Sequence, residues 1–106
     1  MKADVWEVWW VRFKYEDSDD WKERPAVILD KNEAFVIGAK VTTHEPRKNF
    51  PGEYQILRWE SVGFECQSTV RLSKRIALYD SDLVRKMGRL EKADIANIKL
   101  LLKMYF

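Results

Sequence analysis

Residues 4–15, DVWEVWWVRFKY, restrict the fold more than any other stretch of the chain. Val, Trp, Phe and Tyr dominate it, no helix breaker interrupts it and no helical period runs through it, so it reads as a β-strand. Trp9, Val11, Phe13 and Tyr15 share one face, while Val8 and Trp10 share the other with Arg12 and Lys14. The near end of the strand is therefore expected to be buried on both sides and the far end to be amphipathic.

Beyond Tyr15 the chain alternates between short apolar runs and polar connectors. EDSDDWKER, residues 16–24, is too charged for a core and reads as a surface loop with a lone aromatic, Trp21, near its end. PAVIL and AFVIGAKV flank the turn-forming DKNE and predict a hairpin, with Pro25 at the entry of its strand, where a missing N–H is tolerated. TTHEPRKNFPGE has two prolines, one glycine and no apolar period, which makes it a loop of about ten residues. YQILRW and STVRLSKRIALY read as further strands, the second alternating Val70, Leu72, Lys74, Ile76, Leu78 against Arg71, Ser73, Arg75, Ala77, with a short turn at ESVGF between them. Asp80 to Val84 predicts one helical turn, Asp80 or Ser81 serving as its cap. Ala93, Ile95, Ala96, Ile98, Leu101, Leu102 and Tyr105 recur at helical spacing, with Lys92, Asp94, Asn97, Lys99 and Lys103 on the other face. About five strands and one closing helix give a mainly β, α+β class: a small, bent antiparallel barrel with the helix as a lid.

The 106 residues suffice for one domain spanning residues 1–106. A hydrophobic content of 46% excludes a disordered chain. One cysteine, Cys66, forms neither an internal disulfide nor a metal cluster, and no signal-like h-region or bilayer-length apolar run is present, so a cytoplasmic, membrane-free protein is expected. The net charge of +2 hides an asymmetry: residues 1–57 carry nine Lys/Arg against eleven Asp/Glu (net −2), and residues 58–106 carry ten against six (net +4). Any polyanion site must be local.

GxGxxG, GxxxxGK[ST] and GxSxG are absent, and one His with one Cys argues against a zinc site or a Cys-His nucleophile. No metal and no cofactor is expected. The two polar loops offer Arg24, Thr42, Thr43, His44 and Arg47, a set suited to phosphate: arginine is a permanently charged planar fork, hydroxyls donate single hydrogen bonds, and histidine exchanges a proton near neutrality.

In order along the chain, DVWEVWWVRF, KERPAVIL, AKVTTHEPR, STVRLSKRIAL and KMGRLEKADIANIKLLL are similar to the landmarks of the MazF/PemK toxins of type II toxin-antitoxin systems, in the branch with a TxHEPR-like loop. Two departures leave the proposed site untouched: Ala3 stands where the family usually has Gly, and Glu91 where it usually has a helix-capping Ser or Thr. The resemblance implies the plasmid-maintenance-toxin fold, an SH3-like barrel with a C-terminal helix. It also implies a homodimer that cuts single-stranded RNA at short sequences without metal, and a cognate antitoxin whose tail silences it. Carried over by position, it gives Arg24 and Thr42 catalytic roles, while His44 and Arg47 match the branch loop.

Metal-free RNA cleavage uses the 2′-hydroxyl as nucleophile and needs a proton acceptor, a proton donor and charge stabilisation at phosphorus. Arg24 fits the phosphate, because a guanidinium rarely deprotonates; Thr42 donates to the same group or positions the nucleophile, and His44 is the candidate for proton transfer. Thr43, Arg47, Lys48, Lys40, Trp21 and Arg71 are candidate RNA-binding residues, with Trp21, Phe50 and Tyr54 able to stack on bases. Structural readings stand beside these. Arg24 can pair with Glu23, Asp19 or Asp20, the threonines can close turns on their own backbone, and the aromatics can be core or dimer contacts. Glu16, Asp17, Asp19 and Asp20 make an acidic loop, and the charge contrast with Lys40, Arg47, Lys48 and Arg71 leads to the expectation that this loop gates a basic groove built from them. The rival functions are a non-catalytic small-barrel binding module and a degenerate toxin kept for partner binding.

Overall fold

The computed structural model describes residues 1–14 and 19–106. Six strands form one antiparallel sheet: β1 (Glu7–Lys14), β2 (Trp21–Lys31), β3 (Val36–Thr42), β4 (Glu53–Gln55), β5 (Thr69–Leu78) and β6 (Leu83–Arg89). Their order across the sheet is β4-β5-β3-β2-β1-β6, so the sheet has two edges and is barrel-like without closing. A helical turn, α1 (Trp59–Val62), a 3₁₀ turn (Asp80–Asp82) and the terminal helix α2 (Lys92–Tyr105) complete it. Register shifts interrupt the β1–β6, β2–β3 and β3–β5 ladders. Such bulges increase local twist and bend a sheet, and the extents of 31 × 29 × 28 Å are those of a curled sheet rather than a flat layer.

Both faces of the sheet carry a core. Val8, Val27, Ala39, Val41, Val70 and Leu72 pack beneath α1 and α2 with Ile56, Val62, Leu90 and Ile98. Trp9, Val11, Phe13, Ala26, Ile28, Val36 and Leu78 form a second cluster with Ala3 and Leu83. The near end of β1 is thus buried on both sides, as its sequence requires, while Arg12 and Lys14 are exposed. Ile95, Leu101 and Leu102 lay α2 on the first cluster. The β2–β3 hairpin closes through Asn32, whose Oδ1 accepts the N–H groups of Ala34 (2.8 Å) and Phe35 (2.9 Å).

Several elements differ from the sequence pattern. Trp21, Lys22, Glu23 and Arg24 belong to β2 rather than to a loop, paired with Lys14, Phe13, Arg12 and Val11 in turn. This outer ribbon is largely exposed, so it needs no alternation to be a strand. Pro25 consequently lies inside β2, just before the first β3 pair, Ala26–Lys40. YQILRW is extended only in β4; Trp59 already starts α1, which ends on Gly63 at φ 119°. The predicted turn near Asp80 is present as the 3₁₀ turn, with Tyr79 rather than Asp80 or Ser81 as its cap. After that turn the chain enters a sixth strand, β6, which pairs only with β1 and buries little beyond Leu83. Along β5 the register slips between Arg71 and Arg75, which turns Lys74 outward and returns Ile76 and Leu78 to the second cluster. On α2, Asp94 is fully buried and Ala93 and Ala96 are exposed, against the expected faces. No helix among the described residues is long and apolar enough to cross a membrane.

Candidate active site

Glycine and carboxylate contacts around α1 set the shape of the site. Asp94 accepts the backbone N–H groups of Leu57 (2.8 Å) and Arg58 (3.0 Å) and the Tyr54 hydroxyl (2.5 Å), capping α1 from another element. Burial, then the Asp94 carboxylate, pushes the Tyr54 phenol up to about 12. At the other end of α1, Gly63 takes the left-handed conformation, and Gly88 of β6 lies so close to the Val62 carbonyl that a Cβ there would collide with it. The segment after α1 is thereby held against β6 and forms a wall.

Facing that wall is a cleft of about 620 Å³. Its lining includes Arg24 and Pro25 from β2, Thr42 and Thr43 from the end of β3, Glu65, Cys66 and Ser68 from the wall, and Trp10 and Arg85. Arg24 donates from Nη1 to the Glu23 carbonyl at 2.9 Å and has no carboxylate partner among the described residues. Arg85 lies over the Trp10 ring, 5.0 Å from its centroid.

A second hollow shares Thr42 and adds His44, Glu45, Arg47, Glu53 and Arg71. Here both arginines are already paired. Glu53, buried at 8% exposure, accepts from Arg47 Nη2 at 2.8 Å, Arg47 Nε at 3.3 Å, the Arg47 backbone N–H at 3.0 Å and Arg71 Nε at 3.1 Å. The Arg47 guanidinium outweighs burial and, with Arg71, holds the Glu53 carboxyl down to about 2. Arg47 also stacks on Phe50, 3.9 Å from the ring centroid. The His44 backbone N–H donates to Thr42 Oγ1 at 3.4 Å, and the His44 carbonyl accepts from Thr69 Oγ1 at 2.5 Å. The Thr42 hydroxyl therefore closes a turn and still has its own proton to donate.

The structure brings Arg24, Thr42 and Thr43 together, and separately groups Thr42 with His44, Arg47 and Arg71. Lys40 and Trp21 line neither hollow: the Lys40 ammonium sits 4.4 Å from the Phe13 ring centroid, and Trp21 borders another depression beside Arg12, whose guanidinium is 5.2 Å from its ring centroid. Lys48 is exposed on the loop and lines neither. Tyr54 is committed to Asp94, and Phe50 to Arg47. Of the acidic loop, Glu16 and Asp17 lie outside the described residues, and Asp19 pairs with Lys14 at 3.2 Å. Among the described residues no three His, Cys, Asp or Glu groups are placed to hold a metal ion.

Trp10, Arg85, Glu65 and Ser68 are cleft residues that the sequence pattern does not single out. Trp10 reads as core, and Arg85 sits on a strand with no recognisable pattern.

A family model for the PemK-like, MazF-like toxin of type II toxin-antitoxin systems matches residues 4–106. Two solved structures of similar fold are an endoribonuclease in complex with its cognate antitoxin from a mycobacterial species and an endoribonuclease from a mycobacterial species. The first is 17% identical, with a TM-score of 0.72 over 96% of this chain and 93% of the other. The second is 17% identical, with a TM-score of 0.71 over 98% of this chain and 91% of the other. No curated protein sequence matches the chain.

Proposed function

The chain belongs to the family of PemK-like, MazF-like toxins of type II toxin-antitoxin systems, and from that premise we propose that it is a sequence-specific, metal-independent endoribonuclease acting on single-stranded RNA. The observation that carries this reading is the meeting of Arg24 with Thr42 and Thr43 in one cleft, from different strands of a single chain. Arg24 has no carboxylate partner among the described residues, so its charge is available to a phosphodiester.

The reaction assigns the attack to the substrate. The ribose 2′-oxygen loses its proton and bonds to phosphorus, the bond to the 5′-oxygen breaks, and that oxygen takes up a proton; a 2′,3′-cyclic phosphate and a 5′-hydroxyl result. Arg24 neutralises the charge that grows on the phosphoryl oxygens, and Thr42 donates its hydroxyl proton to the same group. His44 lines the second hollow and shares only Thr42 with the cleft, so its part in proton transfer requires the scissile linkage to sit at Thr42, where the two hollows meet. Arg47 and Arg71, held by Glu53, line the path of the flanking chain.

The whole of residues 1–106 acts as one toxin domain, in the cytoplasm and as a homodimer. By analogy with the mycobacterial endoribonuclease in complex with its cognate antitoxin, it binds a cognate antitoxin, and, as the family resemblance implies, a tail of that partner silences it by lying across the cleft that carries Arg24. A binding module or a degenerate toxin is the competing function, and cleavage separates them. Purified protein is incubated with defined single-stranded RNA and DNA of the same sequence, with and without EDTA. RNA is expected to be cut in both conditions and DNA in neither, for want of a 2′-hydroxyl. Intact RNA, or cleavage abolished by EDTA and restored by a divalent cation, would contradict the proposal.

A further inference from the structure

We propose that Arg85 is a second phosphate-binding residue of the same cleft, holding the phosphodiester next to the one bound by Arg24. The inference rests on the endoribonuclease reading and adds a residue to it.

Strand registers place the two arginines. Trp10 of β1 faces Pro25 of β2 on one side and Arg85 of β6 on the other. Arg24, next to Pro25 and paired with Val11, lies on β2, two strands from Arg85 and about 10 Å away between backbones at the usual strand spacing. Trp10 stands between them as the cleft floor, and all three line the same space. That separation suits neighbouring phosphates along one extended strand better than a single phosphate.

The chemistry of Arg85 points the same way. Its guanidinium lies over the indole, 5.0 Å from the ring centroid, a cation–π contact that holds the group beside the cleft and leaves its N–H donors unspent. No carboxylate among the described residues pairs with it, whereas the next residue, Lys86, turns to the opposite face of β6 and is bound to Glu7 at 2.8 Å. Glu7 is a buried carboxyl: burial raises it, but hydrogen bonds from Lys86, Trp9 and the Asp4 backbone lower it further than that. One cation of β6 is thus neutralised by the fold and the adjacent one is presented to the cleft. An arginine held on an aromatic surface and without a counter-ion is prepared for an anion that arrives with the substrate.

The test separates binding from cleavage. A 2′-O-methyl oligonucleotide carries the phosphates and lacks the nucleophile, so its affinity is read as a function of salt for wild type, Arg85→Ala and Arg85→Lys. Arg85→Ala is expected to weaken binding about 10-fold at low salt and to reduce the slope of log affinity against log salt by about 0.7, the value for one phosphate on a single strand. Arg85→Lys is expected to keep the slope, and it carries the test should the alanine variant fail to fold. On cleavable RNA, Arg85→Ala should raise KM with kcat within about threefold of wild type, as for loss of binding that is uniform between ground and transition state. Wild-type affinity and slope in Arg85→Ala would overturn the inference while leaving the endoribonuclease reading in place. So would a fall in kcat at unchanged KM, which would put Arg85 on the reacting phosphate. Wild-type protein that neither binds nor cleaves would remove both.

Discussion

The two hollows that meet at Thr42 each contain two arginines, and they differ in what those arginines already hold. In the first, Arg24 and Arg85 lie beside Trp10 with no carboxylate partner among the described residues. In the second, Arg47 and Arg71 share Glu53, which they reach at 2.8 and 3.1 Å respectively. Two guanidinium groups on one carboxylate leave one net positive charge, and their geometry is spent on the protein itself. On the proposed reading, the arginines that the fold has paired organise the loop, and those it has left without a carboxylate are available to a substrate phosphate. The same residue type thus has opposite uses on the two sides of one threonine.

The largest effect expected from this contrast is on activity. Arg24→Ala should lower the cleavage rate on the order of 10²- to 10³-fold, as loss of one preorganised donor to a developing oxyanion does. Its thermal stability should stay within about 0.5 kcal/mol of wild type, because the side chain is exposed. Stopped or gel-based cleavage kinetics alongside thermal melts check both halves. Arg47→Ala, in the other hollow, should change cleavage by no more than about 10-fold, since only a rim phosphate contact is lost. A loss as large as that of Arg24→Ala would erase the distinction between the hollows.

Stability should respond in the reverse order. Glu53→Gln removes the carboxylate that anchors Arg47 and Arg71 and should cost about 1–3 kcal/mol in denaturant unfolding, the range for a broken charged network at a buried group. Unchanged stability would mean that the trio is not a structural device.

The smallest and most specific effect is on pH. The Glu53 carboxyl is lowered from the ordinary carboxylate range to about 2. A depressed pKa gives stability that is fully present above the unfolded value and disappears as pH falls through the folded one. Melting temperature should therefore decline as pH drops from about 4.5 toward about 2, and Glu53→Gln should remove part of that decline. A variant with the full wild-type slope in this window would show that other carboxylates carry it.

How far the sequence discloses these features depends on what each residue packs against. β1, the β2–β3 hairpin, the inner half of β5 and α2 announce themselves because they bury one or both faces in apolar clusters, and burial is what period and composition record. The outer ribbon of β2 and the edge strand β6 bury little, so nothing selects an apolar alternation in them. Edge strands are also where Lys and Arg are favoured, and VRK in β6 reads as a surface segment for that reason. Arg85 escapes notice with it. Asp94 reads as one of the solvated residues of α2, because its partners, the Tyr54 hydroxyl and two N–H groups at the start of α1, lie about forty positions earlier in the chain. Trp10 shows the converse. Its chemistry says core, but as the neighbour of Pro25 and Arg85 it becomes the floor of a cleft.

Arg24, Thr42 and Thr43 are legible as a group because the KERPAV and KVTTHEPR segments carry a family pattern, and the fold places them in one cleft. The loop sequence joins His44 and Arg47 to that group, whereas the ridge at Thr42 and the pull of Glu53 put them in the neighbouring hollow. Proximity in sequence ends where β3 ends.

The account turns on Arg24 and Thr42 serving a single phosphodiester, and a double-mutant cycle on cleavage of single-stranded RNA tests that directly. Each of Arg24→Ala and Thr42→Val is expected to slow cleavage on the order of 10²-fold, and the double variant to be far less impaired than the product of the two, as for groups acting as one unit. Single variants that cleave at the wild-type rate, or losses that multiply fully in the double variant, would contradict it.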